Sequence, residues 1–305
     1  MRELGILGMN RRNAEYLLPR NPRRLYPLVD DKLRTKALAQ QAGIAVPELY
    51  GVIETNHQIR DLDEIVDGHD DFVIKPSRGS GGDGILVITG RMGPNYRRSN
   101  GLLISAEEAS HHISSILSGM HSLGGVPDKA LVEYRVRFDP VFAALSYQGV
   151  PDIRTIVFRG VPAASMVRLP THQSAGKANL HQGAVGVGVD MVTGRTRGGV
   201  WSNRDVDHHP DTGAVLAGVE IPNWKTLVEL AARCYELVGL DYLGVDIVLD
   251  EVRGPLVLEL NARPGLGIQI ANGRGMMGVL SRIDAVEKIP ATAAERVALA
   301  MELAE

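Results

Sequence analysis

The sequence predicts an α+β protein, because strand-like and helix-like segments follow one another without the regular strand–helix–strand alternation of a doubly wound sheet. Two apolar runs on either side of a glycine-rich stretch predict an antiparallel hairpin over about 71–88. Helical periodicity predicts a long helix over about 224–238, and two strands follow it at 244–249 and 256–260. This order of elements favours separate α+β subdomains.

The remaining elements follow from the same patterns. A helix over about 31–41 begins at a capping aspartate, Asp30 or Asp31, and ends at Gly43. Residues 91–104 are predicted to form a polar loop, and a loop rich in Gly, His and Asn follows the strand that ends at residue 169. The other predicted elements are a strand at 50–53, a helix at 106–118, strands at 130–134, 153–158 and 163–169, and a helix at 293–303.

Composition narrows the class of protein. The 305 residues are 44% hydrophobic and 23% charged, which is ordinary for a globular protein, and the net charge of −3 gives no reason to expect nucleic acid or an anionic membrane as partner. No apolar run approaches the ~18 residues of a membrane span. The single cysteine, Cys234, excludes an internal disulfide and is predicted to be a buried helical thiol. We therefore expect a cytoplasmic protein.

The glycine-rich hairpin carries the first chemical signal. A lysine at the end of a buried strand, followed by glycines whose N–H groups can approach anionic oxygens, suits a polyphosphate. The lysine precedes the glycines and no helix follows them, so the stretch is not the GxxxxGK[ST] loop. No GxG stands upstream at a strand-to-helix turn, which argues against a Rossmann site. The alternative is a flexible hairpin with a surface lysine. The candidate residues are Lys75, Ser80, Gly81, Gly82 and Gly84.

The second signal lies in the two strands after the long helix. Asp246 interrupts one apolar strand, and Glu259 and Asn261 lie one residue apart in the next, so alternation places the last two on one face. Oxygen ligands of this kind suit Mg²⁺, and a carboxylate in an apolar strand is costly unless it is paired or metal-bound. The alternative is a half-exposed strand pair with polar outward positions.

Basic residues stand between these two signals. Arg154, Arg168 and Lys177 could stabilise charge on a transferring phosphoryl group, although each by itself could equally be a surface cation. The histidine pairs at 111–112 and 208–209 have no second ligand cluster nearby in the sequence. We expect them to be solvated.

Taken in order, these segments resemble the ATP-grasp superfamily over about residues 30–275. Within it they are similar to ribosomal-protein-modifying glutamate ligases and to the group called alpha-L-glutamate ligase-related or sugar-transfer-associated ATP-grasp proteins. The stretches that carry the resemblance are DDKLRTKALAQQAGIAVPE, FVIKPSRGSGGDGI, LVEYRV, DIR, NLHQG, GVD and LELNARPG.

The resemblance implies an ATP-grasp fold, in which two α+β subdomains grip ATP, and it implies roles for individual residues. It implies that Lys32 and Lys75 reach the ATP phosphates, and that Arg154 and Arg168 lie near the phosphates and the reacting centre. Glu133 and the backbone from Tyr134 to Val136 would face the adenine. The remaining implied residues are Asn179 near the nucleotide or metal, Asp139 as a candidate ribose ligand, and the magnesium ligands Asp246, Glu259 and Asn261.

The resemblance also sets the expected domains. A short Arg- and Pro-rich extension, 1–30, stands where superfamily members carry a full front domain. It also resembles the related-protein group, so we expect it to be a family trait. The small subdomain is expected at 31–135 and the large subdomain with the metal site at 136–305. The extension could recognise an acidic acceptor, or it could be a solvated arm or a subunit contact of a homo-oligomer.

The implied activity is an ATP-dependent carboxylate–amine ligase that forms an amide bond through an acyl phosphate, with ADP and phosphate as products. ATP and one or two Mg²⁺ ions are implied, with Mn²⁺ as an expected substitute. The acid and amine are expected to be small molecules or peptides, and Arg263 or Arg168 would hold the substrate carboxylate. The alternatives are a kinase acting on a hydroxyl and a non-catalytic nucleotide-binding module.

Overall fold

The computed structural model describes residues 5–79, 81–122 and 124–304. The chain divides into two compact units. Unit 1 comprises Met1–Asp30, Arg34–Val46 and Arg137–Glu305, and unit 2 comprises Asp31–Leu33 and Pro47–Val136. In this division the N-terminal extension is part of unit 1. The segment after the first turn of the predicted 31–41 helix also belongs to unit 1, whereas the sequence-based division assigned it to the small subdomain.

Both units combine antiparallel strands with α-helices. The strands are β1 (Leu49–Ile53), β2 (Phe72–Pro76), β3 (Leu86–Met92), β4 (Asn95–Arg98), β5 (Leu103–Ile104), β6 (Ala130–Glu133), β7 (Asp152–Phe158), β8 (Val161–Leu169), β9 (Val185–Val189), β10 (Thr196–Trp201), β11 (Arg204–Val206), β12 (Tyr242–Asp250) and β13 (Gly254–Asn261). The α-helices are α1 (Met9–Arg11), α2 (Pro27–Asp30), α3 (Lys32–Gln41), α4 (Leu62–Ile65), α5 (Ala106–Leu117), α6 (Trp224–Val238), α7 (Gly267–Ala271), α8 (Met277–Asp284) and α9 (Ala293–Ala304).

Unit 2 contains a six-stranded sheet in the order β1-β6-β2-β3-β4-β5. Helix α5 begins with a capping box, in which the Ser105 side chain accepts from the Glu108 N–H and the Glu108 carboxylate accepts from the Ser105 N–H. Its apolar residues at helical spacing, such as Ala109, Ile113 and Ile116, are buried in the core of this unit. The sheet and α5 thus form one hydrophobic core.

Unit 1 contains a seven-stranded sheet in the order β11-β10-β9-β8-β7-β12-β13. Helix α6 buries an apolar stripe in its core, including Leu227, Ala231 and Cys234 at 0% exposure. The prediction of a buried helical thiol at Cys234 is confirmed, and burial raises its pKa to about 12. In the sheet, β12 lies between β7 and β13, which places polar residues of three strands side by side.

The N-terminal extension packs against unit 1. The Leu7 N–H donates to Gln269 Oε1 and the Gln269 amide donates to the Leu7 carbonyl, at 2.7 and 3.0 Å. Asn21 likewise exchanges two hydrogen bonds with the backbone of Tyr242 at the start of β12. Both contacts are buried, so this segment is part of the fold of unit 1.

The predicted hairpin over 71–88 is confirmed, since β2 and β3 pair antiparallel from Phe72 opposite Ile88 to Ile74 opposite Leu86. The polar loop predicted over 91–104 is wrong, because the end of β3, β4 and β5 lie there. Strands β9, β10 and β11 were not predicted. Among the helices of residues 5–79, 81–122 and 124–304, none is long and apolar enough to cross a membrane.

Candidate active site

A cluster of buried charged side chains lies on β7, β8 and β12 of unit 1. Arg154 Nε and Nη2 donate to the two carboxylate oxygens of Asp246 at 2.7 and 2.5 Å. Arg168 Nη2 donates to Asp246 Oδ2 at 2.8 Å, so two guanidinium groups share one carboxylate. Asp246 is 3% exposed. This arrangement explains how a carboxylate is accommodated in an otherwise apolar strand.

Asp152 is the fourth member of this cluster. Its Oδ1 accepts from Arg168 Nε at 2.6 Å, and its Oδ2 also accepts from that guanidinium. Strand register produces the contact, because Asp152 is the Cα partner of Arg168 and Asp246 is the Cα partner of Arg154. The formal charges of the two aspartates and two arginines therefore cancel when both carboxyls are ionised.

Burial affects the two carboxyls of the cluster differently. At Asp152 the loss of solvation outweighs the neighbouring Arg168 and raises the pKa to about 6. At Asp246 burial also opposes ionisation, but the Arg154 and Arg168 guanidinium groups outweigh it and lower the pKa to about 2. Both arginines act on Asp246, so we assign the permanent negative charge of the cluster to that residue.

Arg168 is only 8% exposed. Its guanidinium donates hydrogen bonds to carboxylates on two strands, Asp152 on β7 and Asp246 on β12. The first effect of this geometry is to orient Asp246. The prediction that Arg168 lies near the phosphates or holds a substrate carboxylate stays a prediction. The prediction that Arg154 lies near the phosphates and the reacting centre also stays a prediction.

The predicted metal ligands lie on adjacent strands. Glu259 is the Cα partner of Asp246 in the β12–β13 pair, and Asn261 Nδ2 donates to Asp246 Oδ2 at 3.3 Å. Within the described part of the chain no three His, Cys, Asp or Glu side chains are grouped closely enough to hold a metal. The predicted set contains only two carboxylates, and its third member is an amide.

These three residues nevertheless fit Mg²⁺ by chemistry, because carboxylate and amide oxygens are its preferred protein ligands. Each oxygen of Asp246 already accepts a hydrogen bond from Arg154, and one accepts from Arg168 as well. An ion would therefore share Asp246 with the arginines. Glu259 and the amide oxygen of Asn261 would supply the other ligands.

The glycine-rich loop of unit 2 contains the predicted phosphate-binding residues. Gly81, Gly82 and Gly84 all have positive φ (65°, 80° and 75°), a backbone region that residues with a Cβ rarely adopt. Lys32, the first residue of α3, donates from its ammonium to the Gly79 carbonyl. Lys32 and the start of this loop are therefore in contact. Ser80 lies outside the described residues.

Lys75 and the predicted adenine-facing segment meet within the same sheet. The Lys75 ammonium forms an ion pair with Glu133, and both side chains are buried. The Tyr134 N–H donates to the Glu48 carbonyl at 2.8 Å, and the Val136 side chain is buried. The resemblance had given Lys75 and Glu133 separate roles, and the structure brings them together.

Other predicted residues lie in loops with local contacts. Asp139 caps a short 3-10 helix (Pro140–Phe142) by accepting from the Val141 N–H at 2.9 Å, and Asn179 caps another (Leu180–Gln182) by accepting from the His181 N–H at 3.0 Å. Lys177 is half-buried in the loop that precedes Asn179. Their predicted roles with nucleotide and substrate stay predictions.

Arg263 follows β13 and is 57% exposed at its side chain. Its guanidinium lies 5.3 Å from the ring centroid of Tyr26 and 4.0 Å from Asp30 Oδ2. The N-terminal extension also holds both neighbours of Arg263: Asn21 Nδ2 donates to the Ala262 carbonyl at 3.2 Å, and Arg12 Nη1 donates to the Pro264 carbonyl at 2.8 Å. Three consecutive residues after the predicted metal ligands are thus held by this extension.

Two histidines predicted to be solvated are not. His209 is 1% exposed and its Nε2–H donates to the Pro170 carbonyl at 3.0 Å. His112 is half-buried and donates from Nε2 to the Gly84 carbonyl at 2.9 Å. A carbonyl can only accept, which fixes the tautomer in both cases.

The family assignment follows from sequence comparison. A family model described as sugar-transfer associated ATP-grasp matches residues 11–285. The chain belongs to this family. The match includes both the glycine-rich loop and the charged cluster, and the ATP-grasp fold is consistent with the antiparallel sheets and helices of the two units.

Relatives of this ATP-grasp chain are described as probable alpha-L-glutamate ligases. One from Aliivibrio fischeri (strain MJ11) is 27% identical over 263 residues, covering 86% of this chain and 64% of that protein. One from Aeromonas salmonicida (strain A449) is 25% identical over 249 residues, covering 81% and 61%. The chain thus spans less than two thirds of the length of these relatives.

Similar solved structures include an ATP-grasp ligase and a synthetase. The ATP-grasp ligase PsnB complexed with a minimal precursor has a TM-score of 0.46 and 17% identity, covering 86% of this chain and 62% of that one. The D-cycloserine synthetase DcsG also has a TM-score of 0.46, with 16% identity and coverage of 92% and 73%.

Sequence reasoning missed several residues of this candidate site. Asp152 appeared only within the quoted stretch DIR, without its role as the partner of Arg168, and Arg12 and Asn21 were only part of the Arg- and Pro-rich extension. The available signal was the register of the β-strands for Asp152. For Arg12 and Asn21 the contacts join residues more than two hundred positions apart, and no local pattern predicts such contacts.

Proposed function

We propose that this chain forms the ATP-grasp part of an ATP-dependent ligase that joins a carboxylate to an amine. The observation that carries the proposal is the buried network around Asp246, with Glu259 opposite it on the next strand. A carboxylate held by two arginines and flanked by a second carboxylate is costly to bury, and such costs are common at functional sites. Family membership supports ATP as the nucleotide, and the names of the relatives support glutamate as one substrate.

The proposed chemistry is phosphoryl transfer followed by acyl transfer. An oxygen of the substrate carboxylate attacks the γ-phosphorus of ATP, ADP leaves, and an acyl phosphate forms. The amine then attacks the acyl carbon and loses a proton, and inorganic phosphate leaves. Mg²⁺ bound at Glu259, Asn261 and Asp246, or Mn²⁺ in its place, would neutralise phosphate charge. Lys32, Lys75 and Arg154 would contribute further positive charge, and Arg263 would bind the substrate carboxylate with its planar donors.

The test is release of ADP and phosphate from Mg·ATP across a panel of amino acids, short peptides and acidic acceptors. A ligase requires an acid and an amine together, and we expect Glu259→Gln to abolish turnover. The matched control is Glu220→Gln, which alters an exposed carboxylate on the same unit. A phosphorylated hydroxyl product, with no phosphate released, would replace the ligase with a kinase.

A further inference from the structure

The glycine-rich loop is anchored where it leaves β2. The Ser77 N–H donates to the Lys129 carbonyl and the Lys32 N–H donates to the Ser77 carbonyl, both at 2.9 Å. Asp128 accepts from the Arg78 N–H at 2.9 Å, and Gly79 forms a β-bridge with Ser122. The first part of the loop is therefore fixed by the segment between α5 and β6.

Two histidines lie against the other end of the loop. His112, on α5, donates from Nε2 to the Gly84 carbonyl, and its ring centroid is 5.7 Å from that of His121. A Cβ atom on Gly84 would lie 2.6 Å from Cγ of His121, so the His121 ring packs directly on the Gly84 backbone. The side chains of His112 and His121 thus contact the backbone at Gly84, just before β3 begins.

Between these anchors the structure describes Gly81, Gly82 and Asp83, of which Gly81 and Asp83 are exposed. Fixing both ends of a loop limits the orientations that the N–H groups between them can adopt. Pre-organised N–H groups bind an anion without the entropic cost of ordering the loop at the moment of binding.

We infer that His112 is a positioning residue, which through the Gly84 carbonyl and with His121 fixes the glycine-rich loop in the geometry that selects nucleotides by their terminal phosphates. The inference rests on the proposed function, since it assumes that this loop covers the triphosphate. It assigns His112 no contact with the nucleotide. Burial lowers the pKa of His112, so the donor is a neutral imidazole at neutral pH.

The experiment compares the Kd values of ATP, ADP and AMP, each with Mg²⁺, for the full chain and its variants. We expect His112→Leu to weaken ATP binding about fivefold to tenfold, the effect of losing one anchoring hydrogen bond, and to leave AMP binding unchanged. His112→Gln keeps an N–H donor and should restore most of the ATP affinity. His111→Leu is the matched control, because His111 is the exposed neighbour on the same helix.

A second measurement needs no ligand. Amide hydrogen exchange in residues 77–84 should be faster in His112→Leu than in the wild type and the control. Equal weakening of ATP and AMP, or unchanged ATP affinity with unchanged exchange, would overturn the inference while leaving the proposed function intact. A wild-type chain that binds no nucleotide would contradict the proposed function, and the inference with it.

Discussion

The charged cluster of unit 1 and the glycine-rich loop of unit 2 position chemical groups in opposite ways. In the cluster, four charged side chains on neighbouring strands hold one another, and three of them are at most 8% exposed. In the loop, backbone N–H and carbonyl groups are held by side chains and strands outside it, and the tip is exposed. The cluster fixes side chains, whereas the loop fixes the backbone.

This difference predicts different responses to mutation. Removing one member of the cluster leaves an uncompensated charge inside the sheet, so the whole unit loses stability. Removing one anchor of the loop releases a segment that is already near solvent, so the loss is local. We therefore expect mutations in the cluster to affect global unfolding most strongly and mutations in the loop to affect local opening.

The largest effect is expected for Asp246→Asn. The substitution leaves Arg154 and Arg168 with too little negative charge, and breaking a buried ion pair in this way costs about 3–5 kcal/mol. Urea unfolding followed by circular dichroism measures the loss. Glu220→Gln, which breaks an exposed pair with Arg195, should cost no more than about 1 kcal/mol. Similar losses in both variants would show that the cluster is no more stabilising than a surface pair.

The pH dependence of this loss is the second prediction. The folded-state pKa of Asp246 is about 2, below the ~3.9 of an unfolded aspartate, so its ionised form stabilises the fold above about pH 4. This contribution, about 2–3 kcal/mol, disappears as the pH falls from about 4 to about 2. The stability gap between wild type and Asp246→Asn should therefore narrow as the pH falls over that interval. Urea unfolding at several pH values tests it, and a constant gap would contradict the assigned charge.

The smallest effect is expected in the loop. Asp128→Ala removes a buried acceptor for the Arg78 N–H and the Ser122 hydroxyl. We expect it to lower the stability of this loop by about 1–2 kcal/mol. Hydrogen exchange should accelerate mainly in residues 77–84. The control is Asp67→Asn, which alters an exposed aspartate of the same unit and should change neither stability nor hydrogen exchange. A global loss as large as that of Asp246→Asn would remove the distinction between the two regions.

Much of the fold could be predicted from local patterns. Helix α6 was predicted with its observed bounds, because its apolar stripe is strong, and the β2–β3 hairpin was marked by its glycines. Strand β4 was missed because its sequence, Asn-Tyr-Arg-Arg, is polar and reads as a loop. Strand β9 was missed because its valines alternate with glycine, which disfavours strands. There the glycines allow close approach: a Cβ on Gly188 would lie 2.5 Å from the Ala271 carbonyl.

The site was predictable to a similar degree. Asp246 was found because a carboxylate in an apolar strand requires a partner, and the structure supplies Arg154 and Arg168 as partners. Their arrangement depends on which residues face each other across three strand pairs, which a single sequence does not specify. His112 was expected to be solvated because its contact with Gly84 is also non-local: it joins a helix to a loop 28 positions away.

The packing of the N-terminal extension has a consequence for the order of folding during synthesis. Asn21 lies 221 positions before its partner Tyr242, and Leu7 lies 262 positions before Gln269. On the ribosome the extension emerges well before the residues that bind it, which follow more than two hundred positions later in the chain. Contacts of such long sequence separation form slowly, because a large loop must close first. Unit 1 therefore completes its fold only when segments more than two hundred positions apart have joined.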